Sequence, residues 1–91
     1  MRARLSIVIP TLNAEGSLPA VLIAHLEGVE AGLVRELIVT DGGSTDATRA
    51  IADEVGAIWV DGAKGRGGQL ARGCAKAGGD WMLVLHADSV P

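Results

Sequence analysis

A chain of 91 residues with net charge −3 and a single cysteine amounts to one small domain at most. The negative balance excludes a general nucleic-acid binder, which needs a broad cationic surface against phosphates, and the lone thiol excludes a disulfide framework. No apolar run approaches the ~18 residues that span a bilayer and the N-terminus lacks a signal-peptide pattern, so the expectation is a soluble, cytoplasmic protein.

The composition is 48% hydrophobic with two Trp and neither Phe nor Tyr. Such a core is built from Val, Ile, Leu and Ala, which suits a sheet sandwiched between helices. Leu5 to Pro10 reads as the first strand. Ser17 is the expected cap of the first helix, with Pro19 tolerated in its first turn and Leu18, Val21, Leu22 and Leu26 forming one apolar stripe. Glu36 to Thr40 reads as the second strand, Ser44 to Val55 as the second helix ended by Gly56, and Ala57 to Val60 as a third, short strand. Arg66 to Ala77 reads as the third helix, closed by Gly78-Gly79. Trp81 to Leu85 is the fourth strand, with His86, Ala87 and Asp88 at its carboxyl end.

This alternation predicts a mostly parallel, Rossmann-like α/β sheet with helices on its faces. Right-handed crossovers place the loops after strands one, two and four on a common edge, so that segment 11–16, Asp41 and Asp88 face one crevice. Ligands of open α/β sheets collect at the carboxyl ends of strands. The segment Asp41 to Thr48 therefore stands out, with a carboxylate, a glycine pair and then hydroxyl and acid caps. By itself it is equally well a strand-to-helix turn with good caps.

Other polar residues have plainer readings. Cys74, at helical spacing from Leu70 and Ala77, reads as a buried thiol and not a nucleophile. Asp53 and Glu54 form a solvated helix face, His25 is a structural or surface residue, and Trp59 and Trp81 pack the core. Arg72 and Lys76 are surface charges. Lys64 and Arg66, bordering a glycine-rich turn, are better placed for a phosphate.

Four segments, Ile7 to Glu15 (IVIPTLNAE), Ile38 to Asp46 (IVTDGGSTD), Gly65 to Gly73 (GRGGQLARG) and Trp81 to Asp88 (WMLVLHAD), together resemble the N-terminal nucleotide-binding portion of the family 2 glycosyltransferases. Those enzymes have the GT-A fold and transfer a sugar from a nucleotide-sugar with inversion. The resemblance covers residues 1–91 and implies an incomplete GT-A domain holding a UDP- or GDP-sugar. By matching position it puts Pro10, Thr11, Leu12 and Glu15 around the nucleoside, Asp41 as acceptor for the base, and Lys64 and Arg66 near the pyrophosphate. Asp88 is the surviving carboxylate of the family's Asp-x-Asp metal motif. His86 stands at its first position, either as a second ligand or as a packing residue. A divalent metal is implied, Mn²⁺ accepting imidazole more readily than Mg²⁺.

Two further departures are Gly42, where the family's Asp-Asp-Gly-Ser pattern has a second acid, and Ala71, where many members have Asn. In similar enzymes the general base lies beyond the metal motif, so the catalytic base and the acceptor site are not assigned. The alternative reading is a truncated or degenerate nucleotide-binding module without transfer. A dinucleotide-dependent oxidoreductase needs Gly-x-Gly-x-x-Gly after the first strand, where this chain has Thr11 to Gly16. A P-loop fails because no Gly-Lys-Ser/Thr is present, and a sugar-nucleotide pyrophosphorylase wants an arginine-bearing, glycine-rich loop at the same place. Finally, an open sheet edge suggests a homo-oligomer.

Overall fold

The computed structural model describes residues 5–79 and 81–85. In chain order the elements are β1 (Leu5–Thr11), α1 (Leu18–Glu30), β2 (Val34–Asp41), α2 (Thr48–Glu54), β3 (Ile58–Asp61), α3 (Arg66–Lys76) and β4 (Trp81–Val84). All seven expected elements are present. The four strands form one parallel sheet in the order β3-β2-β1-β4.

Alternation along the buried strands divides the core in two. Ile7, Ile9, Val34 and Leu37 face α1 and α2, where Leu18 and Leu22 are fully buried and Val21, Val29, Ile51 and Val55 pack beside them. Val8, Ile38 and Val60 face the other way, against Leu70 and Ala77. Two crossovers therefore carry α1 and α2 over one face while the return from β3 to β4 puts α3 on the other, as right-handed connections require. The direction of winding reverses between β1 and β4. Their carboxyl ends flank the crevice where doubly wound sheets take ligands.

Local chemistry fixes the ends of these elements. Both α1 and α2 close in Schellman motifs. The N–H groups of Gly32 and Leu33 return to the carbonyls of Val29 and Gly28, and those of Gly56 and Ala57 to Asp53 and Ala52. Gly32 and Gly56 take the positive φ, 77° and 75°, that the motif demands. On the opposite face α3 lies close to the sheet because Gly73 has no side chain. An added Cβ there would sit 2.6 Å from Val8 Cγ1 and 3.1 Å from Thr40 Cγ2.

Several expectations are corrected. Ser17 makes no capping hydrogen bond because its φ of −111° and ψ of −27° are already helical. The turn into α1 is held by the Ala14 carbonyl, which accepts the N–H of Ser17 and of Leu18. α2 begins at Thr48 and not at Ser44, since Ser44 and Asp46 direct their side chains to loop contacts. Trp81 is 69% exposed and not in the core: β4 is an edge strand, and α3 lies over β1 and β2. Trp59 is half-buried, its indole N–H donating to Asp61 and its ring facing the Arg49 guanidinium at 5.6 Å. Cys74 is half-buried, and Arg72 is also half-buried, donating to the Ala63 carbonyl. His25 makes a structural contact, Nδ1 to the Val21 carbonyl at 2.9 Å, and Asp53 and Glu54 are exposed.

Candidate functional site

The site is built from the carboxyl ends of β1 and β2. Parallel register sets Thr11 beside Asp41, and the Thr11 hydroxyl donates to Asp41 Oδ1 at 2.6 Å. Asp41 is 1% exposed. Its second oxygen accepts the N–H of Gly43 at 2.9 Å and of Ser44 at 2.6 Å, and the Ser44 hydroxyl adds a bond to Oδ1. Burial pushes the Asp41 pKa up, but the hydroxyls of Ser44 and Thr11 and the two N–H groups outweigh it and hold the group below the usual aspartate value. Four protein donors fill the acceptor sites of an ionised carboxylate. Asp41 thus anchors the turn that follows β2, and a base would reach it only by replacing one of those donors.

The β1–α1 loop is tied to the β2–α2 loop by consecutive bonds. The N–H groups of Asn13, Ala14 and Glu15 donate to Ser44 Oγ (2.8 Å), Thr48 Oγ1 (3.0 Å) and Asp46 Oδ2 (3.2 Å). In return, the Thr45 N–H donates to Asn13 Oδ1 at 2.8 Å. Asn13 sits at φ 50°, a left-handed conformation that asparagine tolerates better than most residues. The Thr48 hydroxyl and N–H both donate to Asp46 Oδ1, and the hydroxyl is the first cause of a lowered Asp46 pKa. Of the residues in this ladder only Glu15 carries an expected role in ligand binding; Asn13, Ala14, Ser44, Thr45, Asp46 and Thr48 do not. Their signal in the sequence was the run of short polar side chains after the glycine pair.

A third segment meets the same edge. Gln69, buried on α3, donates from Nε2 to the carbonyls of Thr11 (2.9 Å) and Thr40 (3.0 Å). Its Oε1 accepts the N–H of Gly65 at 3.1 Å. The Gly65 N–H is therefore committed to Gln69. Helix geometry leaves the N–H groups of residues 66–68 without intrahelical partners. Gly42 is closed in by the same glutamine. A Cβ there would lie 2.7 Å from Gln69 Oε1 and 3.1 Å from Lys64 Cα, so an acid at this position has no room beside Gln69.

Among the remaining expected residues, Pro10 is half-buried, and Leu12, Glu15 and Lys64 are exposed along this edge. Arg66 opens α3, but its side chain lies outside the described atoms. His86 and Asp88 lie outside the described residues. The chain leads toward them from Leu85, whose N–H pairs with the Val8 carbonyl. Among the described residues no group of three His, Cys, Asp or Glu side chains could hold a metal ion, and no helix is long and apolar enough to cross a membrane. A groove of about 460 Å³ lined by Leu26, Arg35, Val55 and Ile58 opens at the opposite, amino edge of the sheet, away from these loops.

Comparison with known proteins adds a match to the model of glycosyl transferase family 2 over residues 6–91. The chain belongs to that family. Glucosyl-3-phosphoglycerate synthase of Mycobacterium tuberculosis is 36% identical over 95 residues, an alignment covering 94% of this chain and 29% of that protein. A PGL/p-HBAD biosynthesis glycosyltransferase of Mycobacterium bovis is 39% identical over 90 residues, with 91% and 34% covered. The crystal structure of the M. tuberculosis synthase with Mn²⁺, UDP and glucosyl-3-phosphoglycerate superposes with a TM-score of 0.85 at 35% identity, covering 96% of this chain and 34% of that one. This family member therefore has the sheet and helix arrangement of the GT-A fold. It spans about a third of the length of these relatives.

Proposed function

We propose that the chain forms the donor side of a glycosyltransferase and binds a UDP-sugar at the carboxyl edge of the sheet. The observation that carries this reading is the convergence at the β1–β4 switch point. There a hydrogen-bonded loop after β1, a buried carboxylate at the end of β2 and the N–H groups at the start of α3 that lack intrahelical partners share one edge. The UDP held by the similar mycobacterial synthase supports a uridine donor over the guanosine alternative.

In this reading Pro10, Thr11, Leu12 and Glu15 line the nucleoside pocket. Asp41 shapes its floor through the turn that it anchors, and accepts an N–H of the base when the Thr11 or Ser44 hydroxyl turns away. Lys64, Arg66 and the N–H groups of residues 66–68 oppose the charge of the diphosphate. The carboxylate of Asp88 and the imidazole of His86 form a donor set that suits Mn²⁺, with Mg²⁺ depending on the carboxylate and water. A divalent cation, when bound, supplies neutralisation of the charge that grows on the departing diphosphate. The reaction is a single inverting displacement at the anomeric carbon. Acceptor and general base are not assigned to any residue of this chain. The lone thiol suits a reducing, cytoplasmic setting.

Calorimetric titration of UDP and GDP, each with and without Mn²⁺, tests this reading beside an Asp88→Ala variant. The expected result is Mn²⁺-dependent binding of UDP that the variant loses. Binding that ignores both metal and variant would leave a nucleotide-binding module, and no binding of either nucleotide would remove the donor-site assignment. We also propose self-association through β4, an edge strand whose Trp81, Met82, Leu83 and Val84 are exposed. Sedimentation should then give a mass that rises with concentration; a constant monomer mass would contradict it.

A further inference from the structure

We propose that Gln69 is a positioning residue for the donor site, a latch that sets the loop after β1 and the glycine-rich loop before α3 at a fixed separation. The proposal rests on the donor-site reading above for its functional consequence, but its structural content stands on observed bonds. Nearly every polar atom that Gln69 offers is engaged. Its amide nitrogen holds the carbonyls of Thr11 and Thr40, at the carboxyl ends of two adjacent strands. Its amide oxygen takes the N–H of Gly65, the residue before α3. The backbone carbonyl of Gln69 accepts the Thr40 hydroxyl at 2.7 Å, and its backbone N–H donates to Gly65 O.

A carboxamide is required for this pattern. It must present two donors to two carbonyls and an acceptor to an N–H, all while 5% exposed. Glutamate supplies the acceptor but, when ionised, sets a negative oxygen against the carbonyls of Thr11 and Thr40. Leucine fills the volume and supplies neither. Gly42 is part of the same device, since any side chain there would enter the space of Gln69 Oε1. The consequence for binding follows from what the latch joins. Thr11 begins the loop assigned to the nucleoside, and Gly65 precedes the N–H groups assigned to the diphosphate. One side chain thus governs the distance between the two ends of the nucleotide.

The test compares wild type with Gln69→Leu and Gln69→Glu in two measurements. The first is amide hydrogen exchange without ligand. Exchange at Gly65 should quicken about tenfold or more in Gln69→Leu, because its N–H loses its acceptor, while amides of the β2 interior stay protected. The second is UDP titration with Mn²⁺. Affinity should fall about tenfold or more in both variants. In Gln69→Glu it should recover as the pH is lowered, since a protonated carboxyl regains one donor; Gln69→Leu should show no such recovery, and a merely structural defect would not produce the difference. Unchanged exchange at Gly65 overturns the latch whatever UDP does. Altered exchange with unchanged UDP affinity overturns its role in positioning. Absence of UDP binding in wild type would strike the donor-site reading and with it the functional half, leaving exchange to decide the latch itself.

Discussion

Asparagine in place of Asp41 should lower the thermal unfolding midpoint by about 10–25 °C, equivalent to about 2–4 kcal/mol in a domain of this size. The cause lies in the four donors around the carboxylate. An amide offers one acceptor oxygen and turns its NH₂ toward donors, leaving buried hydroxyl or N–H groups unpaired. The effect should also depend on pH. Burial raises the Asp41 pKa, yet the hydrogen bonds win and the folded value lies below the unfolded one of about 3.9. Its contribution is therefore fully present above the unfolded pKa and is lost as the pH falls through the folded value. Scanning both proteins across pH should show wild type and Asp41→Asn converging below about pH 4. A gap of constant size from neutral to acid pH would mean that the charge of Asp41 contributes nothing.

Leucine at Gly73 should cost about 3 kcal/mol and push α3 off the sheet. A Cβ alone would already stand 2.6 Å from Val8 and 3.1 Å from Thr40, both buried. Replacing a mid-helix glycine normally recovers about 1 kcal/mol of helix propensity, so the sign of the result decides between backbone preference and close packing. Urea denaturation gives the answer: a lower midpoint supports close packing, and a midpoint at or above that of wild type would show that the helix can retreat without loss.

The order of elements could be read directly from the sequence because each carries a period or a stop that depends only on neighbours. The apolar runs at Leu5 and Glu36, the stripe from Leu18 to Leu26, and Gly56 are all local signals. The family itself was also readable, from four short segments kept in order. The contents of the site were less so. Ser44 and Asp46 look like helix caps in sequence, and only the juxtaposition of two loops some thirty residues apart turns them into partners of Asn13 and Glu15. Gln69 gave no signal at all among its glycine neighbours, since its partners Thr11 and Thr40 belong to distant strands. Trp81 was misplaced for a related reason. A strand's own residues do not say whether it lies at the edge of its sheet.

The ladder between segments 13–15 and 44–48 also bears on how such a chain can be altered. Each backbone N–H of the first segment ends on a side chain of the second, and Asn13 answers with its own. Neither stretch is an independent cassette. Grafting one loop from another member of the family would deliver a segment whose counterpart has the wrong side chains. Grafting both together would carry the interface intact. For recombination or redesign, the unit of exchange is the pair.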